Sequence, residues 1–333
     1  MRVIIYGAGA VGSVLGGRLA QSGADVVMVA RPAHVDAIAA GGLRLRTAHG
    51  VDVITVPAVT SLDSLTPGPD DMVLITAKTQ DTPLIHDALL AWNASVRVVC
   101  GTNGVEHERM ALRRFRHVYA MVIQLPAQFE KPGEVTALFG PTNALVDVGR
   151  YPTGVDATVS ELVGLLATSP AIECEPDPAV MVKKHAKLLM NLTNAADGAC
   201  GLGGRRARVA AEAIAEGRLV YEAAGIVHEQ RADLAAHYAA RLATMKFQVP
   251  EGDTFLGGST WQSLAKGATS LETDYFNGEI LLHARLHGIA TPANDFLLEL
   301  SARMLHERIP AGFTTVAQLD ADWEATLSGR SAP

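Results

Sequence analysis

Near its start the chain reads Arg2-Val3-Ile4-Ile5-Tyr6-Gly7-Ala8-Gly9-Ala10-Val11-Gly12. The β-branched run before the first glycine predicts a buried strand, residues 13–21 have helical character, and a second apolar run follows at 24–30. Gly7, Gly9 and Gly12 have the G-x-G-x-x-G spacing, which allows a tight turn, a close approach to a pyrophosphate and close packing of strand on helix. We therefore expect residues 7–12 to bind the phosphates of a dinucleotide through backbone N–H groups. A glycine-rich structural turn is the alternative.

The end of the second strand indicates which dinucleotide is bound. An Asp or Glu at this position would bind the ribose 2′-hydroxyl of NAD. This chain instead has Val29-Ala30-Arg31-Pro32, and Arg31 offers a cation to the 2′-phosphate of NADP. The pattern favours NADPH, and a solvated surface arginine is the alternative.

The alternation of strands and helices in the first half is typical of an α/β fold with a doubly wound parallel sheet of the Rossmann type. Further strands are predicted at 43–46, 51–56, 72–76, 96–99 and 117–122, and a helix at 156–168. Three prolines between 170 and 178 indicate a linker. Beyond the linker a helical period predicts an all-α C-terminal domain, with helices at 179–199, 206–224, 227–244, 262–287 and 293–306. We expect an NADP-binding domain over 1–170 and a helical substrate and catalytic domain over 179–330.

Composition excludes several classes of protein. The 333 residues carry 28 basic and 35 acidic side chains, and a net charge of −7 gives no electrostatic footprint for nucleic acid. Cys100, Cys174 and Cys200 form no C-x-x-C pair, which favours a reducing compartment. No apolar run is long enough to span a membrane, and no metal-ligand pattern is complete. We expect a cytoplasmic protein that binds no metal, membrane or nucleic acid; the mixed surface of the C-terminal helices is compatible with a homodimer.

Polar side chains interrupt an apolar helix just past the linker. Lys187, Asn191 and Asn194 are spaced i, i+4 and i+7, so a continuous helix would present them on one face. A polar stripe is costly to bury without a partner, which indicates a polar site, although a solvent-facing stripe is equally compatible with the spacing. Glu272, on a later predicted helix, could orient a lysine ammonium, or could be an ordinary surface acid.

Several motifs, in order along nearly the whole chain, resemble the ketopantoate reductase (2-dehydropantoate 2-reductase) family. The C-terminal block is the most specific of them. The motifs are the glycine turn at 7–12, Thr76-Ala77-Lys78-Thr79-Gln80, Asn103-Gly104-Val105, Lys187-Leu188-Leu189-Met190-Asn191, the pair Glu216 and Gly225, and Glu272-Thr273-Asp274 with Asn277-Gly278, Gly288-Ile289 and Pro292.

The resemblance implies reduction of the ketone of 2-dehydropantoate by NADPH, towards pantothenate and coenzyme A. By that resemblance Lys187 is the general acid, and Glu272 positions it and contacts substrate. Asn191 and Asn194 are then substrate-binding, and Thr260 occupies a position where the family often has a serine that contacts the substrate carboxylate. Asn103 and Lys78 are implied to lie near the nicotinamide ribose and that carboxylate.

Three positions depart from the family pattern and bear on the substrate. Ala195 stands where the family has a second asparagine, and Asn194 comes one residue early. The segment Gln124–Gln128 replaces a stretch of small residues, and Ser263 replaces a common aspartate. A reductase of another small 2-oxo acid or ketone is therefore an alternative. A catalytically silent NADPH-binding sensor is a third, but it would not need Lys187 and Glu272.

Overall fold

The structure, a computed structural model, describes residues 1–251, 255 and 257–330. They divide into two compact units, Met1–Lys184 with Gln230–Thr254, and His185–Glu229 with Phe255–Pro333. Within the described residues, no helix is both long and apolar enough to cross a membrane. The expected domain limits at 1–170 and 179–330 stay a prediction.

All the strands found in the described residues belong to the first unit. They are β1 (Val3–Tyr6), β2 (Val26–Val29), β3 (Leu43–Thr47), β4 (Gly50–Ile54), β5 (Ala58–Val59), β6 (Met72–Ile75), β7 (Arg97–Cys100), β8 (Val118–Gln124), β9 (Ala127–Lys131), β10 (Glu134–Ala137), β11 (Phe139–Pro141), β12 (Ala144–Arg150), β13 (Ile172–Pro176) and β14 (Met245–Phe247). The helices of this unit are α1 (Ala10–Gln21), α2 (Pro32–Gly41), α3 (Thr82–Asn93), α4 (Glu106–Leu112), α5 (Ala157–Leu166) and α9 (Arg231–Leu242), with the start of α6 (Val180–Asn191).

An eight-stranded sheet forms the centre of the first unit, in the order β13-β12-β8-β7-β6-β1-β2-β5. Strands β5, β2, β1, β6, β7 and β8 are parallel, which confirms the expected Rossmann-type fold. Both faces of this sheet are covered: Val3 and Ile5 of β1 pack into one core, and Ile4 packs into the other. That double burial explains why these strands read as unbroken apolar runs.

The sheets differ in detail from the sequence expectation. The runs predicted at 43–46 and 51–56 form β3 and β4, which belong to a separate four-stranded sheet in the order β4-β3-β10-β9. Strand β12 pairs antiparallel with β8, so the main sheet is mixed. The proline-rich segment predicted as a linker contains β13, which pairs only with β12. An edge strand tolerates proline because one of its sides needs no ladder hydrogen bonds.

The second unit is helical in its described residues, as expected. Its elements are the end of α6, α7 (Asn194–Cys200), α8 (Arg208–Ala223), α10 (Ser259–Ala265), a 3₁₀ turn (Glu272–Tyr275), α11 (Asn277–His287), α12 (Pro292–His306) and α13 (Val316–Arg330). The single helix predicted over 262–287 is wrong: Gly267, at φ +68°, ends α10, and the amide of Ala268 bonds back to the carbonyl of Ser263. Helix α13 had no counterpart in the sequence prediction.

The helix predicted over 179–199 is also interrupted. Helix α6 ends at Asn191 and α7 begins at Asn194. The hydroxyl of Thr193 donates to the carbonyl of Met190 at 3.1 Å, and the carbonyl of Leu192 accepts from the side-chain amide of Asn277 at 3.2 Å. These side-chain bonds replace helical ones at the break. Lys187, Asn191 and Asn194 therefore do not lie on one continuous helix.

Segment 230–254 belongs to the first unit and is held there by a buried ionic cluster. Asp147, on β12, is fully buried and accepts a hydrogen bond from Arg241 at 2.7 Å and another from Tyr238. Lys183 lies 3.4 Å from the same carboxylate and 2.8 Å from the ring nitrogen of His237. Asp147, Glu175 and His237 lie close enough together to share a cation, but Lys183 and Arg241 already neutralise them.

Candidate active site

The glycine turn lies at the carboxyl end of β1, where the sequence predicted it. The amides of Gly7 and Ala8 both donate to the carbonyl of Val29, at 3.0 and 3.1 Å, which ties the turn to the end of β2. Gly7 has φ +93°, and a Cβ there would come within 2.7 Å of Ala77. A Cβ on Gly12 would meet the carbonyl oxygen of Gly7 at 2.8 Å and the hydroxyl of Thr76. Two of the three glycines are therefore required by packing.

Gly9 differs from the other two glycines because space is open above it. A Cβ at this position would meet nothing closer than the carbonyl oxygen of Gly7, at 3.9 Å. Gly9 precedes α1, it contributes no side-chain cap, and the first turn of α1 contains no acidic residue. The helix N-terminus is thus positive and sterically accessible, which fits a bound pyrophosphate. Residues 7–12 fit the phosphates of a dinucleotide.

The ends of neighbouring strands bring the other expected nucleotide-binding residues to the same edge of the sheet. Arg31 follows β2 and is exposed at the start of α2. Lys78 follows β6 and precedes a 3₁₀ turn, and Asn103 follows β7. The hydroxyl of Thr79 donates to the carbonyl of Asn103 at 3.2 Å, which joins these last two loops. Ligands of open α/β sheets bind at this carboxyl edge.

Two side chains beside Arg31 were missed by the sequence analysis. His34, on α2, is 2% exposed, and its ring lies 4.9 Å from that of Phe129 on β9. The guanidinium of Arg31 lies 6.0 Å from the centre of the same Phe129 ring. Because His34 follows Arg31 by three residues, its sequence position was a weak indication that the two side chains lie close together. No local pattern could have indicated a phenylalanine 98 positions further along.

In the second unit, helix α6 carries Lys187 and Asn191. Both are partly exposed, while Leu188, Leu189 and Leu192 between and after them are buried. The side-chain nitrogen of Asn191 is buried and has no hydrogen-bond partner among the described residues. A buried amide donor without an acceptor is costly, so it indicates a place for a polar ligand atom.

Asn194 and Thr260 are brought together by the packing of α7 on α10. Asn194 is 8% exposed, and its amide lies 3.5 Å from the hydroxyl of Ser259. Thr260 is 4% exposed, and its methyl group lies 2.8 Å from where a Cβ on Gly198 would be. Ala195 is fully buried beside them. Substrate binding by Asn194 and Thr260 stays a prediction.

Glu272 lies in a 3₁₀ turn and is 8% exposed; the α-helix expected around it was wrong. The turn leads directly into Asn277, the first residue of α11. Asn277 donates to the carbonyl of Leu192 at 3.2 Å and to the side chain of Asn294 at 3.0 Å. Asn277 therefore fastens the segment that carries Glu272 to the chain just after Asn191.

Glu216, another residue on which the family resemblance rests, has a structural role. Glu216, on α8, accepts hydrogen bonds from the backbone amides of Ala293 and Asn294, at 2.8 and 3.0 Å, and so caps the N-terminus of α12. The side chain of Asn294 donates to Glu216 and to the carbonyl of Ala213. Together with Asn277, this hydrogen-bond network connects α8, α11 and α12. Through the carbonyl of Leu192 it also reaches the chain just after α6.

Comparison with known proteins identifies relatives over almost the whole chain. The model of the family "Ketopantoate reductase PanE/ApbA" matches residues 3–151, and that of "Ketopantoate reductase PanE/ApbA C terminal" matches residues 179–304. The chain is 28% identical over 317 residues to a 2-dehydropantoate 2-reductase of Halobacterium salinarum, covering 90% of this chain and 97% of that one. It is 26% identical over 309 residues to the 2-dehydropantoate 2-reductase of Pyrococcus horikoshii, covering 90% and 95%.

Solved structures agree with this relationship. A PanE/ApbA family ketopantoate reductase from Ralstonia eutropha superposes with a TM-score of 0.75 at 28% identity, over 92% of this chain and 99% of that one. A D-mandelate dehydrogenase, solved with NADH and anilino(oxo)acetate, has the same fold, with a TM-score of 0.73 at 24% identity over the same shares. Because the family models match both halves of the sequence, the chain belongs to the ketopantoate reductase family, oxidoreductases that act on CH–OH groups and use NADPH.

Proposed function

We propose that this protein reduces 2-dehydropantoate to pantoate with NADPH, and that Lys187 is the proton donor. The observation that carries the proposal is the side-chain amide of Asn191, one helical turn from Lys187, which is a buried donor with no hydrogen-bond partner among the described residues. The relatives named 2-dehydropantoate 2-reductase, at 26–28% identity over about 90% of the chain, support the substrate.

The reduced nicotinamide, when bound, supplies the hydride. Negative charge then develops on the ketone oxygen, and a cationic donor directed at that oxygen lowers the barrier. The ammonium of Lys187 supplies that charge and the proton. In this proposal Glu272, which is nearly buried, is assigned to Lys187, because a carboxylate close to a lysine favours its charged form. Asn191 donates a hydrogen bond to a substrate hydroxyl, and Asn103 and Lys78 bind the nicotinamide ribose and the substrate carboxylate.

Selectivity for NADPH rests on Arg31. Arg31 is exposed at the end of β2, and none of residues 30–35, directly after that strand, is acidic and able to bind a 2′-hydroxyl in its place. A planar cation with several donors is suited to a phosphate. The open space above Gly9 supports the same binding mode for the pyrophosphate.

A direct assay tests the proposal. The purified protein is given 2-dehydropantoate with NADPH or with NADH, and loss of the reduced-nicotinamide absorbance is followed. We expect rapid oxidation of NADPH, much slower oxidation of NADH, and loss of most turnover in Lys187→Ala. If the unmodified protein and Lys187→Ala both bind NADPH tightly and neither turns over any oxo acid, the proposal is contradicted and a sensor is favoured.

One observation favours a second substrate class. Ala195 is completely buried, and the amide of Asn194 lies against Ser259, so neither repeats the second asparagine of the family pattern. A related 2-oxo acid with fewer polar groups than 2-dehydropantoate would need no side-chain amide at this position. The same assay with straight-chain and aromatic 2-oxo acids distinguishes the two substrate classes. If kcat/KM is higher for one of these acids than for 2-dehydropantoate, that acid is the better assignment as substrate.

A further inference from the structure

Beside the glycine turn, a chain of contacts joins the second sheet to Arg31. The backbone amide of Gly133, in the turn between β9 and β10, donates to Nδ1 of His34 at 2.8 Å. Gly133 has φ +80°, and a Cβ there would come within 2.8 Å of the methyl group of Ala37 on α2. The β9–β10 hairpin is thus seated directly on α2, the helix that begins just after Arg31.

These contacts determine the tautomer of His34. Nδ1 accepts a hydrogen bond, so the ring proton lies on Nε2 and is donated to the hydroxyl of Ser13, 3.1 Å away. The Ser13 hydroxyl in turn donates to the carbonyl of Ala8, within the glycine turn. Burial, together with the nearby charge of Arg31, lowers the pKa of His34, which keeps the ring neutral. His34 therefore connects the phosphate-binding turn to the β9–β10 hairpin.

The hairpin carries the ring that lies under Arg31. Phe129 packs against His34 at 4.9 Å with the rings inclined at 53°, and the Arg31 guanidinium lies 6.0 Å from its centre. An arginine on an aromatic face is attracted by the ring quadrupole and loses freedom to rotate away. An exposed arginine without such a support would have to be ordered when it binds a phosphate, at a cost in affinity.

We propose that Phe129 and His34 are positioning residues for cofactor selectivity: they hold the Arg31 guanidinium in place for the 2′-phosphate of NADPH. The inference rests on the proposed preference for NADPH and assigns part of it to residues outside the nucleotide-binding motif. Neither side chain needs to touch the cofactor.

Binding measurements without substrate test this assignment. Dissociation constants for NADPH and for NADH are measured by nicotinamide fluorescence on the whole protein, and the quantity compared is the selectivity ratio, the constant for NADH divided by the constant for NADPH. An exposed cation–π contact contributes about 0.5–1 kcal/mol, so Phe129→Leu should weaken NADPH binding about two- to fivefold and leave NADH binding unchanged. Phe129→Tyr should keep the ratio of the unmodified protein. His34→Leu should lower the ratio in the same way as Phe129→Leu.

A double-variant cycle separates positioning from general structural support. Arg31→Ala alone should weaken NADPH binding about tenfold or more, as expected for hydrogen bonds to a charged group. In the Arg31→Ala background, Phe129→Leu should have no further effect on the ratio. Phe139→Leu is the matched control: it is another partly exposed phenylalanine of this unit, its ring packs on Phe247, and it should leave both constants unchanged.

The outcomes distinguish this inference from the proposed function. If Arg31→Ala lowers the ratio and Phe129→Leu does not, or if Phe129→Leu weakens NADPH and NADH equally, the positioning role is overturned and NADPH selectivity stands. If Phe129→Leu acts equally in both backgrounds, the role is also overturned. If the unmodified protein binds NADH as tightly as NADPH, both proposals fail.

Discussion

Lys184 and Glu108 form an ion pair inside the first unit, with side chains that are 3% and 0% exposed. The ammonium also donates to the carbonyl of Thr102 at 3.0 Å, next to Asn103. Burial raises the pKa of the Glu108 carboxyl, and the charge of Lys184 opposes that shift. The pair therefore holds a loop of the proposed nucleotide site to the first part of α6.

Removing one member of this pair should destabilise the protein more than removing both. Glu108→Leu leaves a buried ammonium unpaired, at a cost of about 3–5 kcal/mol, whereas Glu108→Leu with Lys184→Met should recover much of it. Denaturant unfolding measures the difference. The control is Glu324→Ala, since Glu324 and its partner Arg208 are 64% and 53% exposed; the loss should be at most about 1 kcal/mol. If the double variant is no more stable than Glu108→Leu, the unpaired charge of Lys184 is not the cause of the destabilisation.

Two glycines of the phosphate-binding turn should behave differently when a methyl group is added. Gly9→Ala should unfold at the same temperature as the unmodified protein without cofactor, because its Cβ meets only the Gly7 carbonyl at 3.9 Å. It should nevertheless lose NADPH affinity, since the methyl group occupies the space open to the pyrophosphate. Gly12→Ala should lose affinity and also about 1–3 kcal/mol of stability through overpacking. Thermal unfolding with and without NADPH measures both; NADPH binding retained in Gly9→Ala contradicts the assigned phosphate site.

Lys187→Ala should reduce kcat and leave NADPH binding unchanged. General acids contribute about 10²–10⁴-fold to rate, and Lys187 belongs to the second unit whereas the glycine turn belongs to the first. Single-turnover oxidation of NADPH, with the dissociation constant measured separately, provides the two readouts. The matched control is Lys266→Ala, in the same unit at the end of α10, which should leave kcat unchanged. An equal loss of kcat in Lys187→Ala and Lys266→Ala would contradict the role of Lys187 as proton donor.

Asn191→Leu should raise KM without destabilising the protein. The Asn191 amide nitrogen has no partner among the described residues, so an apolar replacement removes no hydrogen bond that this nitrogen donates within the described structure. Loss of one hydrogen bond to substrate corresponds to about a three- to tenfold higher KM. Asn294→Leu is the structural counterpart: its amide is bonded to Glu216 and Ala213, and its removal should lower stability by about 1–3 kcal/mol. Unfolding free energies and KM values for both variants check the contrast, and an unstable Asn191→Leu would point to a packing role.

Acid should destabilise the first unit through a stacked pair of histidines. His86 and His107 share a hydrogen bond of 3.2 Å between their Nε2 atoms, so at most one carries a proton there. Burial lowers the pKa of His86 to about 4 and that of His107 well below its usual value of 6.5. Both groups therefore stabilise the fold above the unfolded pKa near 6.5, and that stability is lost as the pH falls towards the folded pKa values.

The measurement is the unfolding free energy between pH 7 and pH 4. Stability changes by roughly 1.4 kcal/mol per pH unit for each proton that the unfolded chain binds and the folded chain does not. His86→Phe should flatten this dependence, because the aromatic ring still packs on Phe115 but cannot titrate. His287→Phe, at an exposed site, is the control and should keep the slope. An unchanged slope in His86→Phe would contradict the assignment.

The sequence predicted the nucleotide-binding half well because its signals are local. Strands β1, β2 and β6 to β8 are unbroken apolar runs, and the glycine turn lies between the first of them and α1. The hairpin strands β9 and β10 were missed; they pair with each other, but the sheet to which they belong forms only through β10 and β3, about 90 positions earlier. The edge strand β13 was hidden by its prolines.

The second unit shows the same division between local and distant information. Lys187 and Asn191 are four residues apart on a real helix, so their common face was predictable. Asn194 was misplaced because the break before it depends on the amide of Asn277, which lies 85 positions beyond its partner Leu192. Glu216 could be identified by resemblance, but its capping of α12 could be recognised only from the packed helices.

The return of residues 230–254 to the first unit affects the order in which the molecule can be built. As the chain leaves the ribosome, the strands of the main sheet emerge before Arg241 and Tyr238, and Asp147 lacks both partners until helices α5 to α9 have been synthesised. Until then Lys183 is the cation that compensates the buried carboxylate. Because a buried charge without its partners is costly, the amino-terminal unit cannot reach its full stability until nearly a hundred further residues beyond Asp147 have been translated.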